Sequence, residues 1–235
     1  MSIKAILFDL DGTLLPMNQD EFIGAYKSGL ITAAAKRGYD PKRMGGAILA
    51  GLVAMIKNAS DMTNEEVFFK VLVGEYGESV MDDVDMFDEF YQTDFQKIQE
   101  VCSLNPRTKE IIERIKSRGM RVVLATNPLF PAVATESRIR WAGLDKSDFE
   151  LVTTFENSHR SKPNPDYYRE VLDKIGLSPE ECVMVGNDVG DDMVAERLGL
   201  RVFLLTDCLI NPAGVDISVY PNGGMDELVA FIDSL

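Results

Sequence analysis

The stretch Ala5-Ile-Leu-Phe-Asp-Leu-Asp-Gly-Thr-Leu-Leu15 decides how the rest of this chain is read. Ala5–Phe8 is a continuous apolar run, the pattern of a strand buried on both faces of a parallel sheet. Asp9 and Asp11 follow at once. Residues i and i+2 of extended chain point to one side, so both carboxylates face a common point, and Gly12 permits a sharp turn behind them. Two carboxylates this close repel, which is costly unless a cation sits between them or one is protonated. An Asx turn ending a strand would need neither the second acid nor anything downstream.

Four more runs of strand length occur, at Val122–Ala125, Leu151–Phe155, Cys182–Val185 and Val202–Leu205. Helical patterns separate most of them. Asn105-Pro106 reads as an N-cap followed by Pro at the first helical position, opening a helix to about Arg118 that Gly119 stops. Asn164-Pro165 repeats the device, with an end expected at Gly176. Ser178-Pro-Glu-Glu181 is a capping box. Strand and helix in succession predict an α/β fold, a doubly wound, Rossmann-like parallel sheet.

The segment 17–102 differs. It shows no convincing strand, its apolar residues recur at helical spacing (Phe22, Tyr26, Leu30), and Thr63-Asn-Glu-Glu66 is another capping box. Asp82, Asp83, Asp85, Asp88 and Glu89 form an acidic run that reads as a solvated helix face. The expectation is an all-helical domain of residues 17–102 inserted after the first strand of an α/β core made of 1–16 and 103–235. Gly45-Gly46 reads as the break at a helix end.

Composition narrows the function classes. Hydrophobic residues make up 46% of the 235, enough for a sizeable core, and the formal net charge is −14. That excess repels nucleic-acid backbones and anionic lipid, so neither is an expected partner. A phosphorylated ligand remains compatible, because a metal and a few local donors reverse the field inside one cleft. Cys102, Cys182 and Cys208 are odd in number and far apart, giving neither a disulfide framework nor a zinc site. The N-terminus reaches an acid too soon for a signal-peptide core, and the longest apolar stretch, Ala47–Ile56, is too short to span a bilayer. A cytoplasmic protein is the expectation. Nothing in the residues speaks to oligomeric state.

The other strand ends repeat the polar theme of the first. Val122-Val-Leu-Ala-Thr-Asn127 finishes on a hydroxyl and an amide, both able to donate to an anion. Cys182-Val-Met-Val-Gly-Asn-Asp188 finishes on glycine, amide and acid, with Asp191 and Asp192 behind, and Ser161-Lys-Pro163 precedes the helix near Asn164. Ligands of open α/β sheets bind at the carboxyl ends of the strands, where all four clusters converge.

These clusters, in this order and spacing, resemble the motifs of the haloacid dehalogenase-like hydrolase superfamily over nearly the whole chain. Asp9-Leu-Asp-Gly-Thr13 resembles its first motif, Thr126 the hydroxyl of its second, Lys162 followed by Pro163 its third, and Gly186-Asn-Asp-Val-Gly-Asp-Asp192 its acidic fourth. The helical insert sits where the family's C1 cap does. The resemblance implies a phosphatase of small phosphorylated metabolites. Asp9 would be the nucleophile forming an aspartyl-phosphate, and Asp11 the general acid/base. Lys162 and Thr126 would hold the phosphoryl group, with Asn127 divided between phosphate donor and turn residue. Mg²⁺ would be bound by Asp9, the Asp11 backbone carbonyl and the fourth motif. There the family's usual acid is replaced by Asn187. Either Asn187 or the neighbouring Asp188 is then the ligand, with Asn187 preferred because it follows Gly186 at the family's position. Asp192 fits the later acid of the motif.

Rival readings lie on the same scaffold. A dehalogenase has no leaving alcohol to protonate, so Asp11 speaks against it. A phosphonatase needs a cap lysine as nucleophile, for which Lys36, Lys42 and Lys57 are candidates, and a phosphosugar mutase needs a long-lived aspartyl-phosphate. A non-catalytic binding protein would not need Asp9, Asp11, Thr126 and Lys162 together. His159 reads as a loop histidine without a catalytic task.

Overall fold

The computed structural model describes residues 2–235. The strands β1 (Ala5–Phe8), β2 (Arg121–Leu124), β3 (Leu151–Val152), β4 (Cys182–Gly186), β5 (Arg201–Leu205) and β6 (Asn222–Gly223) form one all-parallel sheet in the order β3-β2-β1-β4-β5-β6. β1 is central, with Phe8 in register with Leu124 on one side and Val185 on the other. From β1 the chain builds outward through β2 and β3, then returns to the opposite flank of β1 for β4. That reversal opens a crevice at the carboxyl ends of β1 and β4.

Burial on both faces explains the unbroken apolar runs. Ile6 and Phe8 pack into one core layer while Ala5 and Leu7 pack into the other. The third strand is shorter than the expected Leu151–Phe155. Thr153 keeps one ladder bond, its N–H donating to Leu124 at 3.0 Å, and Phe155 then turns away to lie 6.5 Å from the rings of Phe68 and Phe69. β6 was not expected, and for a physical reason: two half-buried polar or small residues at a sheet edge carry no apolar run.

Helices α1 (Gln19–Lys36), α2 (Pro41–Ile56), α3 (Asn64–Tyr76) and α4 (Val84–Gln92) occupy the segment between β1 and β2. They are followed by α5 (Pro106–Ser117), α6 (Ala132–Trp141), α7 (Pro165–Ile175) and α8 (Met225–Asp233). The caps are those the sequence calls for. Asn105 accepts from the Arg107 N–H at 3.0 Å, Asn164 from the Asp166 N–H at 2.9 Å, and Thr63 with Glu66 closes its box. Gly176 takes the left-handed conformation that ends α7. The box at Ser178 opens only a single 3-10 turn, Pro179–Glu181.

Gly45 and Gly46 do not end a helix; both lie inside α2. Tertiary contact overrides their weak propensity, and Gly51 of the same helix has a packing reason: a Cβ there would lie 2.6 Å from the Phe68 ring. The acidic run is solvated as expected, with α4 burying Met86, Phe87, Phe90 and Tyr91 on its other side. Arg37 gathers Asp83, Asp85 and Glu89 at 3.5, 3.1 and 3.3 Å, all partly exposed.

The chain leaves β1 and returns toward β2 side by side. Met17 and Cys102 form an isolated antiparallel bridge, and the Ser103 N–H donates to the Pro16 carbonyl at 2.8 Å. One apolar cluster runs from the sheet face bearing Phe8 into Phe22, Tyr26 and Leu30 of α1. No helix among the described residues is long and apolar enough to cross a membrane.

Candidate active site

Asp9 leaves β1 with its N–H donated to Val185 at 2.9 Å, so the first residue beyond the strand is fixed against β4. The chain then turns on Gly12. Its φ of 82° suits glycine, and a Cβ there would lie 2.3 Å from the Asn187 side chain. Gly186 is required for a similar reason, since a Cβ would fall 2.1 Å from the Asp192 carboxylate. The two glycines let the first and fourth motifs approach.

Lys162 joins them. It is 1% exposed, and its Nζ donates to Asp9 Oδ1 at 2.8 Å and to Asp192 Oδ1 at 2.7 Å. Burial alone would lower its pKa, but Asp192 and Asp9 outweigh that and hold the ammonium well above its ordinary value. Asp192 is pushed up by burial, with Lys162 pulling the other way. Its Oδ2 accepts the Asp188 N–H at 3.0 Å, which ties the loop after β4 to the same centre.

Asp11 faces a different cation. One carboxylate oxygen pairs with the guanidinium of Arg138, while the other is buried with no partner among the described residues. Burial raises the Asp11 pKa, Arg138 opposes that rise, and the charge on Asp9 adds to it. Arg138 is fully buried on α6. Its guanidinium carbon lies 4.2 Å from the centre of the Phe130 ring and 6.0 Å from that of Phe22.

The amide that replaces the family's acid is held at both ends. Thr13 donates its hydroxyl to Asn187 Oδ1 at 3.0 Å, and Asn187 Nδ2 donates to the Cys208 carbonyl at 2.7 Å. The same Thr13 hydroxyl lies 3.4 Å from Asp9 Oδ2, so the two oxygens share one donor. Asp188 spends Oδ1 on the N–H groups of Gly190 and Asp191, at 2.7 and 3.0 Å. Thr126 is buried, with its carbonyl accepting the hydroxyls of Thr153 and Tyr167. Asn127 donates to Asp191 at 3.1 Å, and its own oxygen is buried without a partner among the described residues.

Seven of these side chains, with Asp191 and Asp192, reach one place. Asp9, Asp11, Thr126, Asn127, Lys162, Asn187 and Asp188 line a cavity of about 140 Å³, and Arg138 stands behind Asp11. Gln19, Phe22 and Ile23 of α1 close it from the insert, while Leu129, Phe130 and Ile210 close it from the core. Of the lysines considered for a phosphonatase, none lines it; Lys36 instead pairs with Asp94 at 3.3 Å on the surface. His159 also lies elsewhere, its Nδ1 at 2.9 Å from Glu170.

Arg138 was not singled out from the sequence. Its neighbour Arg140 looks the same in one dimension, and only the spacing Ala134, Arg138, Trp141 marks a charged residue on the buried face of α6. The wall residues of α1 were equally unreadable, because their placement over the site depends on how the insert docks.

A parallel sheet with paired acids and a buried lysine at its switch point defines a class of hydrolases, and sequence comparison assigns it. The chain belongs to the haloacid dehalogenase-like hydrolase family, whose sequence model matches residues 3–199. It is similar to the pyrophosphatase PpaX of Bacillus cereus (strain AH820), with 25% identity over 201 residues, 86% of this chain and 82% of that one. Among solved structures it superposes on the HAD phosphatase from Thermococcus onnurineus with a TM-score of 0.58, at 19% identity and 98% coverage of both chains. It also superposes on the HAD-hydrolase YfnB from Bacillus subtilis bound to magnesium, with a TM-score of 0.58 at 20% identity, covering 99% of this chain and 100% of that one.

Proposed function

We propose that the chain is a phosphoric monoester hydrolase of small phosphorylated metabolites, acting through an aspartyl-phosphate on Asp9. The observation that carries this reading is Lys162, buried between Asp9 and Asp192 at the mouth of β1. An ammonium there offsets charge on both the nucleophile and an incoming phosphoryl group. The Thr126 hydroxyl and the free donor capacity of Asn127 face the same cavity and supply hydrogen bonds to phosphoryl oxygens. Asp9 attacks phosphorus as Asp11 gives its proton to the leaving alcohol; Asp11 then takes a proton from the water that cleaves the intermediate. Burial favours the protonated form of Asp11 that the first half-reaction needs.

The donor set suits Mg²⁺. Five carboxylates line the cavity against Lys162, with Arg138 behind, and one Asp11 oxygen has no partner among the described residues. The described residues hold no group of three or more His, Cys, Asp or Glu side chains gathered around one point. A small hard cation is held by few protein ligands and keeps several waters. Asp9, the Asp11 backbone carbonyl and Asn187 would hold it, since Thr13 draws the Asp9 and Asn187 oxygens together, with Asp188 reaching it through water. When bound, it neutralises charge between carboxylate and phosphate. The segment 17–102 acts as a cap in this reading, with Gln19, Phe22 and Ile23 excluding water from the reacting group.

The test is a screen of phosphorylated metabolites with purified protein. Hydrolysis should appear with Mg²⁺, vanish after dialysis against EDTA and return on readdition. Full activity in metal-free protein, or no hydrolysis of any phosphomonoester, would overturn the reading.

A further inference from the structure

A second, larger cavity of about 370 Å³ lies between helices of the insert and the segment that enters α6. Its chemistry is unlike that of the catalytic cavity. Six aromatic rings line it: Tyr26, Phe68, Phe69, Phe87, Tyr91 and Phe155. The polar ends of Tyr26 and Tyr91 are spent on each other, their hydroxyls 2.9 Å apart. The charged groups on its wall are three carboxylates, those of Glu65, Asp88 and Glu156, and no lysine, arginine or histidine is among the described residues that line it.

These three acids have no cation beside them on the cavity wall. None of the three forms an ion pair among the described residues, although Arg37 alone serves three carboxylates on the insert's surface. Glu156 uses Oε1 to accept the Ala132 N–H at 2.8 Å, at the start of α6, and leaves Oε2 buried without a partner. Burial pushes the Glu65 carboxyl up, and the charges of Glu156, Glu66 and Asp88 add to the rise. An unneutralised acid next to apolar surface is unfavourable, and the faces of aromatic rings repel anions as they attract cations. Acids and rings therefore favour the same kind of occupant, a positive charge.

A bare metal ion is the wrong one. Most of the wall is aromatic or aliphatic and offers no hard donors to complete a metal's coordination. We propose that this cavity binds an organic ammonium ion, its charged end against Glu65 and Glu156 and its apolar body between the rings. Because the walls come from α1, α3 and α4 on one side and from 131–133 with Phe155 and Glu156 on the other, the ligand bridges the insert and the core. The site is separate from the catalytic cavity, with which it shares Leu129, and it does not depend on the reaction proposed there.

The probe is 2-phenylethylamine, protonated at neutral pH, and its neutral control of the same shape is 2-phenylethanol. Binding is read by amide chemical-shift changes of the full chain in about 0.15 M NaCl, which screens diffuse attraction to an acidic protein. The amine should bind at least tenfold more tightly than the alcohol, with shifts confined to α3, α4 and the start of α6. Glu65→Gln with Glu156→Gln should erase that preference, glutamine still accepting the Ala132 N–H. Glu113→Gln with Glu180→Gln removes as much charge from exposed positions that do not line the cavity and should leave it intact. Phe69→Ala, at a half-buried position, should weaken the amine whether or not the double variant folds. Equal binding of the two probes, a preference that survives Glu65→Gln with Glu156→Gln, or no shift at 10 mM amine would each overturn the proposal.

Discussion

The chain concentrates acid in two places and treats them in opposite ways. At the mouth of the sheet, Lys162 is 1% exposed and holds two carboxylates at 2.8 and 2.7 Å. On the insert, Arg37 spreads over Asp83, Asp85 and Glu89 at 3.1 to 3.5 Å with a third of its side chain in water. The same formal pairing means different things, because the interaction of two charges grows several-fold as water is removed while desolvation grows with it. Surface acids stay solvated and depend little on one another. The buried ones form a set in which each charge is tolerated only because the others are present.

The largest break in that contrast is expected from Asp9→Asn. An amide cannot accept a phosphoryl group, so turnover should fall at least about a thousandfold while the circular dichroism spectrum stays native. Activity above that level in protein free of deamidation would remove Asp9 as nucleophile.

Arg138→Met comes next. It removes the cation that opposes the rise of the Asp11 pKa, so the Asp11 carboxyl should hold its proton to higher pH. In the proposed reaction the leaving group needs a protonated Asp11, so the descending alkaline limb of kcat should move up in pH, with kcat at neutral pH reduced about tenfold or more by lost positioning. Losing one partner of a buried pair costs up to about 3–5 kcal/mol when the other stays charged, and less here because Asp11 can take up a proton. An unmoved pH profile would show that Arg138 only fills space.

A finer cut separates Asn187 from Asp188. Asn187→Ala should raise the Mg²⁺ activation constant about tenfold or more, and Asp188→Asn should raise it less, both measured at one ionic strength. If Asn187→Ala leaves the constant unchanged, Asp188 is the ligand. The smallest effect belongs to the surface set: Arg37→Ala should leave the denaturant midpoint nearly unchanged and activity as it was. A large fall in that midpoint would erase the contrast between the two acid clusters.

What the sequence made legible follows from the range of each signal. Ala5–Phe8 and Cys182–Val185 were readable because a strand buried on both faces leaves an unbroken apolar run, and Asn105, Asn164 and Thr63 because a cap acts within three residues. That Asp9, Asp11, Thr126 and Lys162 share one cavity could be anticipated because each lies within three residues of the end of such an element. β6 lay outside that reach, being two residues at an edge. So did the continuity of α2 through Gly45 and Gly46, decided by helix packing rather than propensity. Arg138, Phe22 and the six-ring cavity depend on contacts between segments far apart in sequence, and no local pattern encodes them.

The bridge between Met17 and Cys102 has a consequence for the order of folding. Ala5 pairs with Arg121, so the central strand must find a partner about 115 positions away. Closing so long a flexible loop costs about 2 kcal/mol more than closing one of ten residues, by chain entropy alone. Once the insert's two ends meet, with the Ser103 N–H on the Pro16 carbonyl, the tether between β1 and β2 shrinks to residues 9–16 and 103–120. An insert that folds early therefore acts as a staple, turning the long-range pairing of β1 with β2 into a much shorter one.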